Sequence, residues 1–257
     1  MRTRIAMLVA GAVHAAASAG SAQTVDLGRA RLMDLTHEIA SDGPAWPGSR
    51  APFRLDTLVA SPTAAMFRLT LNEHFGTHLD APRHGSGTGW TNEQIPLSRL
   101  MGPAVVIDVT AQSAANRDYG LSVADLAAHE REFGPIPPGA IVLLRTGWAR
   151  YWGQPAYFGA DTTVTPTRLH FPSLGAASAQ ALVERGIALF GVDSPSTDFG
   201  ASPSFAVHGL LARANIPSVE NLADLGGLPR TGAVVMALPI KTRGGSGGPV
   251  RVVALVP

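Results

Sequence analysis

Cysteine is absent from the 257 residues, which excludes a small domain stapled by disulfides. Charge is scarce: 15% of residues are charged, and Lys+Arg 20 against Asp+Glu 19 leaves a formal +1. That balance supplies no basic field for nucleic acid. The low hydrophobicity and high net charge of a disordered chain are missing too, since 46% of residues are hydrophobic. Past the first residues no apolar run approaches the ~20 residues of a membrane span, and no repeat of fixed period recurs. What remains is one domain, two at most, with a core burying roughly 70–75% of the unfolded chain's surface.

Arg2 and Arg4 precede the apolar stretch 5–17, broken only by His14, and Ser18 to Ala22 are small. This is the layout of a cleavable secretory signal peptide. Cleavage is expected after Ala22, with Ala19 as the alternative site. The reading is a signal peptide over residues 1–22, a mature domain over 23–257, and a periplasmic or secreted protein. An uncleaved anchor is the competing reading. Losing Arg2 and Arg4 leaves 18 basic against 19 acidic residues, a formal −1.

Short apolar runs predict buried strands at 104–109, 140–144, 187–192, 234–240 and 250–256. Phe67, Leu69 and Leu71 alternate with Arg68 and Thr70, which predicts a half-buried strand. Ser122, with Asp125 three residues on, predicts a capped helix start. Residues 176–185 predict a second helix ending at Gly186, and 205–214 a third. Strands mixed with a few helices argue for one α/β domain.

Three of the eight histidines and a carboxylate crowd into His74-Phe-Gly-Thr-His78-Leu-Asp80-Ala-Pro-Arg-His84. Neutral imidazole and carboxylate are common ligands of zinc, manganese and iron. Gly76, Thr77 and Pro82 oppose a helix, and Glu73 precedes the first histidine, so the helical H-E-x-x-H signature is absent. In an extended segment His78 and Asp80 share a face, and His84, just past Pro82, can fold back over the same point. A cation so held keeps open positions, lowers the pKa of bound water toward about 7 and polarises a carbonyl. His84 suits proton transfer at neutral pH. His208 could protonate a leaving nitrogen or bind metal.

The run His74-x-Gly-Thr-His78-x-Asp80-x-Pro-x-His84 resembles the signature of the metal-dependent cyclase family, which contains bacterial kynurenine formamidases and isatin hydrolases. Further matching segments are Asp34-Leu-Thr-His37, Trp46-Pro47, Ile141-Val-Leu-Leu-Arg-Thr-Gly-Trp148, His170-Phe-Pro172 and Gly191-Val-Asp-Ser-Pro-Ser196. Later come Phe205-x-x-His208, Glu220-Asn221-Leu222 and the glycine-rich Lys241 to Pro249, which looks closer to isatin hydrolases. The resemblance implies a single α/β domain of swivelling β/β/α, cyclase-like type, a mixed barrel-like sheet with flanking helices, as a homodimer or higher oligomer. It implies His74, His78 and Asp80 as ligands of a divalent metal, Mn or Zn. It implies His84, His208 and Glu220 as ligands of a second metal in the formamidases, or as base and supporting residues where one metal is used.

The resulting expectation is a metal-dependent hydrolase opening an amide or lactam C–N bond of a small aromatic substrate such as isatin, with His84 and His208 as catalytic residues. An arylformamidase acting on N-formylkynurenine is the alternative, and lactone or polyketide-type ring chemistry a third. A non-catalytic periplasmic metal- or ligand-binding protein is the alternative of another class. No nucleic acid is expected as partner, and no membrane after signal cleavage. Trp46 and Trp90 are candidates for the substrate wall, with Trp148 and Phe199 behind them. His129, beside Glu130 and Arg131, is expected to be solvated, and His170 structural. Gly244-Gly-Ser246-Gly-Gly248 matches a serine nucleophile elbow, but Pro249 follows and no later Asp or His could complete a triad. It reads as a turning loop.

Overall fold

A strand covered on both faces has no polar side to show, so it reads as an unbroken apolar run. The computed structural model, which describes residues 26–49, 53–159 and 169–257, places such runs side by side. The expected signal peptide lies outside the described residues. In chain order the elements are β1 (Arg31–Asp34), β2 (Phe53–Ala60), β3 (Ala65–Leu71), β4 (His78–Asp80), α1 (Pro82–Gly85), α2 (Leu97–Leu100) and β5 (Met101–Asp108). Then come α3 (Thr110–Ala115), β6 (Gly120–Leu121), α4 (Val123–Phe133), β7 (Ile141–Arg145), β8 (Ser173–Leu174), α5 (Ala176–Glu184) and β9 (Leu189–Val192). The chain closes with α6 (Ala206–Arg213), β10 (Ser218–Glu220), β11 (Thr231–Pro239) and β12 (Gly247–Val256).

Seven strands form a closed mixed barrel in the order β12-β11-β5-β7-β9-β10-β4, with β4 returning to β12. The run β5-β7-β9-β10 is parallel, and the other neighbours are antiparallel. The length of β12 makes closure possible. Its first residues, Gly247 to Pro249, pair with β4, while Val253 to Val256 pair with β1 on the same edge.

Side chains alternate between two cores, as the period of a strand requires. Val106, Ile141, Leu143, Leu189, Val235 and Val252 fill the barrel. Val105, Ile107, Val142, Leu144 and Phe190 face outward and pack on Leu126 of α4, Leu182 of α5 and Leu211 of α6. Each fully buried aliphatic side chain contributes about 1.5–3 kcal/mol. The Ser122 cap forms as expected, with Asp125 N–H donating to Ser122 Oγ and Ser122 N–H to Asp125 Oδ2.

Two expectations need correction. The strand expected to be half-buried is exposed up to its last residue, Leu71, which is partly buried: Met66, Phe67 and Leu69 of β3 are open to solvent. The alternation is real, but β2 and β3 pair only with each other, and no layer of the described residues covers their apolar face. His129 is buried rather than solvated, because it follows Leu126 by three positions on the inner face of α4 and packs on Phe133.

Candidate metal and catalytic site

Strand register assembles most of the site. In β4, Leu79 points into the barrel core, so His78 and Asp80 face the other way. Glu220 of β10 lies directly opposite His78 and therefore shares its face. Before β4 the chain turns through Gly76, whose φ of +68° is a left-handed conformation, and brings His74 back beside Asp80. After β4, Pro82 opens the single turn of α1, which carries His84. The helix α6 supplies His208 and crosses α1 so closely that a Cβ on Gly85 would stand 2.7 Å from the His208 carbonyl oxygen.

Three of the imidazoles are held by one nitrogen and offer the other. His78 donates Nδ1–H to the Gly76 carbonyl at 3.0 Å. Its Nε2 lies 3.3 Å from Asp80 Oδ1 and 3.5 Å from Glu220 Oε2. His208 donates Nδ1–H to Asp198 Oδ2 at 2.6 Å and aims Nε2 at Glu220 Oε1, 3.2 Å away. His74 turns Nε2 to Ser246 Oγ at 3.0 Å and puts Nδ1 2.7 Å from Asp80 Oδ1. His84 lies against His74 with ring centroids 3.9 Å apart and planes tilted by 34°, and it lines the cavity.

The electrostatics favour a cation. Burial alone would lower the pKa of His78, yet Asp80 and Glu220 lift it to about 9. Burial is likewise outweighed at His208, where Asp198, Asp80 and Glu220 hold the pKa well above the ordinary histidine value. Asp80, whose burial would raise it, is held well below the usual carboxylate range by His208, His74 and His78. His84 differs: crowding by protein lowers its pKa, so it is neutral near pH 7. One atom is orphaned: Asp80 Oδ2 is buried without a hydrogen-bond partner. Such an atom costs about 1–3 kcal/mol, more when charged, unless something positive meets it. The mixed N/O donor set of His74 Nδ1, His78 Nε2 and Asp80 Oδ1 suits a divalent ion, and Asp80 Oδ2 lies 3.6 Å from His208 Nε2. Asp80, His84 and His208 form an adjoining group of the same kind.

Beside these groups lies a cavity of about 1050 Å³ with an apolar wall of Pro44, Trp46, Phe158 and Phe205. Trp46 meets Phe158 and Phe205 at ring-centroid distances of 6.2 Å each. The cavity is lined by His74, His78, His84, His208, Glu220 and Trp46, so the structure brings these together with Asp80, which Trp90 does not join. Trp90 sits outside the cavity lining, its ring under the Arg99 guanidinium at 5.9 Å and its backbone N–H donated to Asn215 Oδ1. Its position just after the histidine cluster is near in sequence, but α1 turns the chain away. Trp148 packs with Tyr157 and Phe158, and His170 is paired with Asp118 at 2.9 Å.

The residue reading passed over Phe158 as a wall and Asp198 as the holder of His208. Asp198 also accepts the N–H groups of Val207 and His208 at the start of α6. Its partner lies ten residues away, and only the loop's path joins them.

The Cyclase family model matches residues 33–199. An isatin hydrolase from Roseibium aggregatum is 35% identical over 198 residues, 74% of each chain. A kynurenine formamidase from Salinibacter ruber is 28% identical over 225 residues, 86% of this chain and 96% of that one. A crystal structure of an isatin hydrolase bound to the product analogue thioisatinate superposes with a TM-score of 0.82 at 31% identity, covering 90% of this chain and 94% of that one. The matched stretch contains β4 and α1 with all four clustered side chains, His74, His78, Asp80 and His84, and on this likeness the chain belongs to the Cyclase family.

Proposed function

We propose that the protein is a metal-dependent hydrolase that opens the C–N bond of a small aromatic cyclic amide of the isatin type. The observation that carries this reading is the convergence of His74 Nδ1, His78 Nε2 and Asp80 Oδ1 at the floor of an aromatic-walled cavity. A manganese or zinc ion bound there would polarise the substrate carbonyl and acidify water. Trp46, Phe158 and Phe205 present ring faces and edges to a flat aromatic substrate and exclude bulk water from it. His84, neutral and reaching the same space, takes the proton released as water adds and returns it to the departing nitrogen. His208, locked by Asp198 and facing Glu220, stays oriented toward the reacting centre.

The test is hydrolysis of a panel of isatin-like lactams and N-formyl anilines, including N-formylkynurenine, with chelator and with Mn²⁺ or Zn²⁺ restored. Activity on the lactams, lost with chelator and recovered with metal, is the expected result. Chelator-insensitive hydrolysis sinks the scheme, and preference for the formyl anilines selects the arylformamidase alternative. His84→Ala is expected to lower turnover about 10²–10⁴-fold while the metal content stays at one ion per chain. Two ions per chain in the wild type would move His84, His208 and Glu220 into metal binding.

Two further readings belong to this proposal. The N-terminal pattern of Arg2, Arg4 and residues 5–22 supports export, checked by N-terminal sequencing of the mature protein. A second copy of the chain covers the apolar face of β2 and β3, because a lone two-stranded ribbon is marginal in water and this one roots beside the cavity at Asn72 and Glu73.

A further inference from the structure

We infer that the glycine-rich loop 244–248, together with Glu73, is a clamp that fixes the tautomer and orientation of His74, with Ser246 and Glu73 as positioning residues. The inference rests on the reading of His74 as a metal ligand. Ser246 donates both its N–H and its O–H to Glu73 Oε2, at 3.1 and 2.6 Å. With its proton committed to the carboxylate, Ser246 Oγ can only accept from His74 Nε2, 3.0 Å away. His74 then carries a hydrogen on Nε2, and its Nδ1, 2.7 Å from Asp80 Oδ1, is the nitrogen left to share a cation with that carboxylate. The direction of this relay runs imidazole to hydroxyl to carboxylate. A serine nucleophile would need the opposite, with its own proton given to the imidazole.

His74 needs such a clamp more than its neighbour does. Its side chain is 27% exposed against 4% for His78, so packing alone holds it less. The loop in turn is pinned on both sides. Asn92 N–H donates to the Gly245 carbonyl at 2.9 Å, Ala81 N–H to the Ser246 carbonyl at 2.9 Å, and Asn92 Nδ2 to the Gly247 carbonyl at 3.1 Å. Two glycines are required by contact rather than by flexibility. A Cβ on Gly247 would stand 2.7 Å from His74 Cε1 and strike the Leu79 carbonyl; one on Gly245 would come within 2.6 Å of Glu73 Oε1. The segment that looks in sequence like a nucleophile elbow is therefore shaped around the back of a ligand.

The experiment measures Mn²⁺ and Zn²⁺ affinity by competition with a chromogenic chelator for wild type, Ser246→Ala, Glu73→Gln and His74→Ala. Long-range ¹H–¹⁵N NMR of the Zn²⁺ form reads the His74 tautomer. Expected are a weakening of about 10- to 100-fold for Ser246→Ala, a smaller one for Glu73→Gln, an Nε2–H tautomer in wild type and its loss of definition in Ser246→Ala. Wild-type affinity in Ser246→Ala alongside lost affinity in His74→Ala overturns the clamp and leaves the metal reading standing. Wild-type affinity in His74→Ala overturns the metal reading itself. Covalent labelling of Ser246 by a fluorophosphonate also overturns the clamp, because the hydroxyl would then be a nucleophile and not a spacer.

Discussion

His37 and His84 are both histidines with lowered pKa values, and the difference between them lies in what each can reach. His84 opens on the cavity. His37 lies stacked on Trp152, ring centroids 4.0 Å apart, with its Nε2 buried and unpartnered. Burial brings its pKa from 6.5 to about 4, and a backbone hydrogen bond at Leu222 offsets only part of that. The sign of the consequence is fixed. The unfolded chain binds this proton more readily than the folded one, so stability is full above pH 6.5 and falls as pH drops toward 4. Urea unfolding at pH 7.5 and pH 4.5 is expected to show a smaller acid loss in His37→Phe, which keeps the stack, than in wild type. Taking the difference cancels the other histidines, and equal losses would place the titration elsewhere. At this scale the sequence was generous with the cluster from 74 to 84, because ligand spacing is local. It did not give the partners of Asp198, Glu73 and Ser246, which are set by how distant loops meet.

The elements were legible where burial is symmetrical. Strands β5, β7 and β9 read as apolar runs because helices cover one face and the barrel core lies on the other. The β2–β3 hairpin shows the limit of such reading. Its pairing puts Phe53, Leu55, Phe67, Leu69 and Leu71 on one face and Arg54, Asp56, Arg68 and Thr70 on the other. Alternation therefore announces an apolar face but not what lies against it. Among the described residues only the root is anchored, by Phe53 stacking on Phe75 at 6.5 Å, while Leu55, Phe67 and Leu69 are 51%, 49% and 57% exposed. An apolar face of that kind needs a cover, and the cover proposed above is a second copy of the chain. The double variant Phe67→Lys, Leu69→Lys is expected to sediment as a monomer where the wild type sediments as a dimer or larger assembly. A monomeric wild type at micromolar concentration would remove the second copy as the occupant.

Closure of the barrel depends on its own shortest strands. β4 and β10 contain three residues each, yet they join β9 to β12 and complete the barrel. Nothing in the apolar pattern could reveal this closure, because it relies on β12 dividing one edge between β4 and β1. The same two strands carry His78, Asp80 and Glu220, and the remaining site groups come from the turn before β4, from α1 and from α6. A cation at this point therefore ties the barrel's seam to a helix and a loop, and binding should be felt as global stability. The unfolded chain cannot gather these donors, so a free-ion concentration 100 times Kd contributes about 2.7 kcal/mol. For a domain of this size that is about 5–10 °C in Tm. Differential scanning calorimetry of the chelated protein, with and without Mn²⁺ or Zn²⁺ added back, should show that rise in wild type and none in His78→Ala. Cation retained on dialysis with no change in Tm would mean that it binds away from the seam, on groups the unfolded chain presents equally well.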